Sequence, residues 1–69
     1  MKKYKVDEWV FYKPFPDDQS VILAQIQDRA IILYVFPKDE YYDYKIFIDG
    51  TNKIKKVKEH QLFPIPPPT

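Results

Sequence analysis

Few side chains in this sequence are of the types that carry acid–base or nucleophilic chemistry. His60 is the only histidine, the chain contains no cysteine, and Ser20 lacks the G-x-S-x-G context of a nucleophile elbow. The one glycine, Gly50, excludes a glycine-rich loop that cradles phosphate. Catalysis needs acid–base or nucleophilic groups within hydrogen-bond reach of one another. We therefore predict that the protein is not an enzyme and uses no cofactor and no metal ion.

Acidic residues occur mostly in segments that we interpret as turns. Adjacent residues on a strand point to opposite faces, so neighbouring carboxylates make poor catalytic or metal-binding pairs. They can instead form a negative rim that receives a basic peptide. The residues of this predicted rim are Asp17, Asp18, Asp39, Glu40 and Asp43.

The elements that position these side chains form a single small domain. A chain of 69 residues without cysteine must build its core from side chains alone. One tryptophan, five phenylalanines and six tyrosines supply it, and we assign Trp9 to the core because it lies beside Val10 in an apolar segment. The net charge of +1 argues against a strong electrostatic field over the whole domain. With no signal segment and no apolar run that could span a bilayer, we predict an intracellular protein without a membrane partner.

Short β-strands separated by turn residues account for most of the chain. Asp49-Gly50 between apolar strands predicts a tight hairpin. A single 3₁₀ turn over residues 58–62 leads to a short closing strand, and three prolines near the end favour an extended tail. We predict a five-stranded SH3-like barrel over residues 6–65, with a lead-in at 1–5 and a proline-rich tail or linker at 66–69. The candidate strands are Trp9 to Tyr12, Val21 to Asp28, Ile31 to Phe36, Tyr42 to Ile48 and Lys53 to Val57.

Several segments in this order resemble Tudor domains. The stretch 5–10, KVDEWV, resembles the opening "x-V-G-D-x-V" of that family, with Asp7 where glycine is usual. The stretch 44–51, YKIFIDGT, resembles "Y-x-V-x-F-x-D-G-T" in the lamin B receptor Tudor and in the first Tudor unit of DNA-damage checkpoint mediators. Residues 57–66 resemble the close of the first unit in tandem Tudor chromatin readers. The resemblance covers Lys5 to Pro66 and implies a Tudor-type barrel.

The resemblance also implies a function, which is recognition of a basic, methylated histone-type peptide by an aromatic cage. Phe15 matches the first-loop ring, and Phe47 matches the ring before the Asp-Gly turn and should point away from the core. Ile22 replaces the usual second-strand aromatic. It implies methyl-lysine or methyl-arginine as the recognised residue and a larger nuclear, chromatin-associated assembly as the setting. The candidate cage residues are Phe15, Phe47, Tyr12, Tyr42, Asp49 and Asn52.

Two alternatives stay open. The first is nucleic-acid binding, to DNA or RNA, through a lysine face on the last strands, although lysines on an edge strand also protect it from aggregation. The second is a structural half of a tandem unit that packs on a second Tudor barrel. A lysine face and an acidic loop end would together suit a module that touches both histone and DNA. The candidate lysines are Lys53, Lys55, Lys56 and Lys58.

Overall fold

The computed structural model describes residues 2–66 and shows a five-stranded, all-β SH3-like barrel, which confirms the predicted fold class. The strands are β1 (Trp9–Tyr12), β2 (Asp28–Val35), β3 (Tyr44–Ile48), β4 (Lys53–Val57) and β5 (Leu62–Pro64). All neighbouring strands are antiparallel, in the order β4-β3-β2-β1-β5. A four-residue helix, α1 (Val21–Ala24), lies in the long connection between β1 and β2, and a 3₁₀ turn (Glu59–Gln61) precedes β5.

Alternation along the strands creates the core. In β3, Tyr44, Ile46 and Ile48 are buried, whereas Lys45 and Phe47 between them are only partly covered. In β1, Val10 and Tyr12 point inward. The same period of two on each strand gives one buried face and one outward face. The core consists of Tyr4, Val10, Tyr12, Ala30, Ile32, Tyr44, Ile46, Ile48, Val57 and Leu62.

The prediction that Trp9 belongs to the core is wrong. Because Val10 and Tyr12 fill the inward positions of β1, Trp9 falls on the opposite face and is 41% exposed. The Arg29 guanidinium lies 5.0 Å from the centre of its ring. The indole is therefore an outward side chain covered in part by a cation.

The predicted second strand, Val21 to Asp28, is also wrong over most of its length. Ser20 caps α1, since its Oγ accepts a hydrogen bond from the Leu23 amide at 3.4 Å and its carbonyl accepts one from the Ala24 amide at 3.0 Å. Serine is a favoured helix N-cap. The strand that pairs with β1 is β2, which begins only at Asp28 and includes most of the predicted third strand. It is a single run of eight residues, with an irregular register between Ile32 and Tyr34.

The turns follow the sequence prediction more closely. The Asp49-Gly50 hairpin is confirmed, and it uses left-handed backbone at Gly50 (φ 88°) and Asn52 (φ 56°). Asp7, which stands where the Tudor motif has glycine, also has a positive φ of 71°. β4 has the predicted bounds, and the predicted 3₁₀ turn before the last strand is present over Glu59–Gln61. Of the predicted tail, residues 67–69 lie outside the described residues.

Candidate functional site

The long β1–β2 connection and the β3–β4 turn meet the same end of β2. The Asp49 amide donates to the Arg29 carbonyl at 2.9 Å, which places the turn beside the start of β2. Phe15, in the β1–β2 connection, is exposed, as are Asp49 and Asn52. Three of the predicted cage residues therefore belong to elements at one end of the barrel.

The remaining cage candidates lie elsewhere. Tyr12 is buried in the core because it faces inward from β1. Tyr42 lies in the β2–β3 connection, at the opposite end of β2, with its ring edge-on to Tyr41 at 4.9 Å. Phe47 points outward, as predicted, but from the middle of the sheet, where it pairs with Ile31 and Ile54. None of the ring–ring contacts within residues 2–66 includes Phe15 or Phe47, so the predicted rings do not converge on one cage.

An apolar surface on the β1–β2 connection was not anticipated from the sequence. We call Val21, Ile22, Leu23 and Ile26 the α1 surface. None of these side chains is buried, and Ile22 is 77% exposed. These residues fall in the strand predicted over Val21 to Asp28. A period of two over so few residues does not exclude a single helical turn. The surface is bordered by Asp17, whose side chain is 88% exposed, and by Asp18, which accepts a hydrogen bond from the Ser20 amide.

The four candidate lysines do not share one face. Lys53 and Lys55 have the same orientation in β4 as buried Val57, and the Lys55 ammonium lies 5.7 Å from the Tyr12 ring centre. Lys56 points to the other side, 5.9 Å from the Phe36 ring, and Lys58 lies beyond the strand, 4.0 Å from the Tyr41 ring. The predicted lysine face is thus divided by strand alternation.

The outward face of the sheet carries a continuous row of apolar side chains. Trp9 pairs with Ile31, Ile31 with Phe47 and Phe47 with Ile54, so this apolar row crosses four strands. Next to it runs a basic row in which Tyr34 pairs with Lys45 and Lys45 with Lys56. We call the two rows together the outer sheet face. Phe47 and Lys56 are among the site residues predicted from the sequence.

A groove of about 410 Å³ lies at the other end of β2, near the N-terminal segment. Lys2 forms an ion pair with the Asp43 carboxylate, whose second oxygen accepts a hydrogen bond from the Glu59 amide at 2.7 Å. Glu59 in turn accepts hydrogen bonds from the Tyr44 hydroxyl at 2.7 Å and from the Lys3 amide at 2.9 Å. These contacts fasten the N-terminal segment and the 3₁₀ turn to the start of β3.

Three groups of this network, Asp43, Glu59 and Tyr44, have a displaced pKa. The hydrogen bond from Lys2 lowers the pKa of Asp43, and the hydrogen bond from Tyr44 lowers the pKa of Glu59. Burial, together with the hydrogen bond to Glu59, raises the pKa of Tyr44 to about 12. Both carboxylates are therefore ionised and the tyrosine hydroxyl is protonated at neutral pH, which suits a structural network.

We expect the network to make the domain sensitive to acid. A carboxylate whose pKa is lower in the folded state contributes stability above its unfolded pKa, here about 3.8 for Asp43 and 4.5 for Glu59. That stability is lost as the pH falls from about 4.5 through the lower folded values. Urea denaturation at several pH values should show the loss, and the double variant Asp43→Asn, Glu59→Gln should flatten the acid limb. The matched variant Asp39→Asn, Glu40→Gln, in an exposed loop, should leave it unchanged; equal flattening by both would contradict the assignment.

Within residues 2–66 no group of three or more histidine, aspartate or glutamate side chains is placed to hold a metal ion. His60, the one candidate base, lies 4.0 Å from the exposed Asp17 carboxylate. No helix in the described part of the chain has the length and apolar character needed to cross a membrane.

Comparison with known proteins adds no relative: no family model, no curated protein and no solved structure gives a significant match. The Tudor resemblance accordingly stays a prediction from the sequence motifs. The fold itself is established by the strand order and the position of the 3₁₀ turn.

Proposed function

We propose that this chain is a non-enzymatic binding module for a basic peptide with apolar side chains, which it holds at the α1 surface. The observation that carries the proposal is the exposure of four aliphatic side chains on one short segment, with no buried residue among those of α1. Aliphatic groups held out in this way gain free energy when a partner covers them. The α1 surface therefore supplies the apolar contact of the proposed complex.

The charge around the α1 surface selects the kind of peptide. Asp17, Asp18 and Asp28 belong to the β1–β2 connection or follow it directly, and Asp49 lies at the same end of β2. Lys13, Arg29 and Lys53 are the basic residues nearest in sequence to these elements. The Lys13 ammonium lies 4.7 Å from the Phe63 ring centre and the Arg29 guanidinium 5.0 Å from the Trp9 ring centre. An excess of carboxylates favours lysine or arginine in the partner, through steering and specificity. The methylated histone-type peptide expected from the Tudor resemblance belongs to this class of ligand, with the chromatin-associated, nuclear setting that it implies.

The test is an NMR titration with a twelve-residue peptide that contains alternating lysine and leucine. We expect amide shifts concentrated in residues 15–27. Replacing Ile22 by serine should weaken binding at least about tenfold, because burying an isoleucine contributes about 1.5–3 kcal/mol. The matched control, Ile54→Ser, removes another exposed isoleucine, from β4, and should leave the affinity unchanged.

Two further peptides test the chemistry of the ligand. A peptide with acetylated lysines should bind more weakly, since it has lost the charge that the carboxylates attract. A trimethyl-lysine peptide should bind more tightly only if exposed rings such as Phe15 contact the methyl groups. Shifts that avoid residues 15–27, or equal losses in the Ile22→Ser and Ile54→Ser variants, would refute the proposed function.

A further inference from the structure

We propose a second binding site on this domain: the outer sheet face binds single-stranded nucleic acid. The site lies on different residues from the α1 surface, so it goes beyond the proposed peptide function and does not depend on it. The proposal rests on the exposed rings of this face, its aligned apolar groups, its unopposed positive charge and the strand register.

The apolar row gives the site its length. Trp9, Ile31, Phe47 and Ile54 are direct cross-strand partners, and neighbouring strands are about 4.8 Å apart. The row therefore extends over about 14 Å of the barrel wall. Its ends are the most open, since Trp9 is 41% and Ile54 60% exposed. An extended chain of bases can lie along such a row, whereas a compact small molecule would cover only part of it.

The basic row supplies aromatic rings and cations side by side. The Tyr34 ring is half exposed and meets the Phe36 ring edge-on at 5.0 Å. Lys56 places its ammonium 5.9 Å from the centre of the Phe36 ring, and Lys45 lies between Tyr34 and Lys56 in the cross-strand register. Rings of this kind stack bases, and the ammonium groups beside them can contact the phosphates.

The charge of the outer sheet face is of one sign. Asp28 is the only acidic residue within the five described strands, and it pairs with buried Tyr12, on the inward side. Arg29, Lys45 and Lys56 all occupy outward positions, and the Arg29 guanidinium lies over the Trp9 ring. The net charge of +1 therefore conceals a local excess of positive charge on this face.

Single strands fit the face better than duplexes do. The rings belong to the wall of the sheet, and only unpaired bases expose their flat faces for stacking. An acidic peptide could satisfy the lysines but would leave the rings without a stacking partner. Nucleic acid is the class of ligand that uses both groups.

Trp9 is the only tryptophan, so its fluorescence reports on the site directly. The probe is a twelve-nucleotide oligothymidylate, with oligouridylate in a second series and polyglutamate of equal length as a control. We expect quenching of Trp9 by both nucleic acids and not by polyglutamate. Binding should weaken as salt rises, because bound lysines release counterions from the phosphates.

Paired variants separate this site from general attraction between charges. The double variant Lys45→Gln, Lys56→Gln removes two charges from the outer sheet face. The double variant Lys53→Gln, Lys55→Gln removes two charges from the opposite side of the edge strand β4. The first pair should lower the affinity at least fivefold and reduce the salt slope by about 1.4, whereas the second should change both much less. Trp9→Ala, followed by anisotropy of a labelled oligonucleotide, should weaken binding about tenfold.

The proposal fails if both lysine pairs have equal effects, if Trp9 is not quenched, or if polyglutamate binds as well as oligothymidylate. Thermal melts of each variant by circular dichroism check that the fold is retained, which we expect because none of the altered side chains is buried. The Ile22→Ser variant should bind oligothymidylate normally. Failure of the peptide proposal and failure of this one are thereby distinguishable.

Discussion

Replacing Ile46 by alanine should lower the free energy of unfolding by about 2–5 kcal/mol. Ile46 is 0% exposed at the centre of β3 and pairs across the sheet with Ile32, which is equally buried. The substitution leaves a cavity in the middle of the core, because neighbouring strands held by hydrogen bonds cannot close around it. At about 0.05–0.15 kcal/mol per residue, a domain of this length has only about 3–10 kcal/mol in total. Much of the variant should therefore be unfolded near 37 °C.

Urea denaturation followed by circular dichroism measures this effect. The matched control is Ile54→Ala, the same change on the adjacent strand at a position 60% exposed, which should cost no more than about 0.5 kcal/mol. A similar loss of stability in both variants would contradict the assignment of Ile46 to the buried face and of Ile54 to the exposed face of the sheet. Because Ile54 belongs to the apolar row, the Ile54→Ala variant can also be tested for oligonucleotide binding.

Removing a single hydroxyl group, by Tyr44→Phe, should destabilise the domain by about 1–3 kcal/mol. The Tyr44 hydroxyl accepts a hydrogen bond from the Tyr4 amide at 3.0 Å and donates one to Glu59 at 2.7 Å. Tyr44 is fully buried and Tyr4 nearly so. Phenylalanine keeps the ring but leaves the Tyr4 amide and the Glu59 carboxylate without this partner, and an unpaired buried donor retains its cost of desolvation.

The pH dependence of stability distinguishes this role from simple packing. The folded pKa of Tyr44 is about 12, above its ordinary value of 10, so its contribution is complete below pH 10 and is lost as the pH rises from 10 to 12. The loss of stability that comes from ionisation of Tyr44 should be absent in Tyr44→Phe. Tyr34→Phe, which removes a half-exposed hydroxyl, is the control and should change neither stability nor the alkaline limb. An unchanged alkaline limb in Tyr44→Phe would contradict the proposed network.

The two proposed surfaces divide the domain by charge. Carboxylates and aliphatic side chains gather around the β1–β2 connection, whereas lysine, arginine and aromatic side chains occupy the outer sheet face. Of the acidic rim and lysine face predicted from the sequence, Asp17, Asp18 and Lys56 belong to these two surfaces. Asp39, Glu40 and Asp43 lie instead in the β2–β3 connection, at the opposite end of β2. Simultaneous binding of a basic peptide and a nucleic acid would follow from the two proposals together.

Features set by local backbone geometry were predictable from the sequence. Asp-Gly specifies a tight turn because Gly50 adopts positive φ at little cost, and the turn residues around it delimit β4. The outward direction of Phe47 follows from alternation with Ile46 and Ile48. The 3₁₀ turn follows from the absence of room for a longer helix before Pro64. These signals sufficed for the fold class.

Contacts between distant segments were decided only by the tertiary structure. Whether residues 21–24 form a strand depends on a partner strand, and β1 pairs with Asp28–Ile31 instead, which leaves Ser20 free to cap a helix. Trp9 lies outward because its inward neighbours, Val10 and Tyr12, match the buried positions of β2 and β5. The apolar row exists only through the register of four strands, and period-two alternation gives a residue's face but not its cross-strand partner. By itself the sequence determined the barrel, whereas the cage could not be judged without knowing which rings the register brings together.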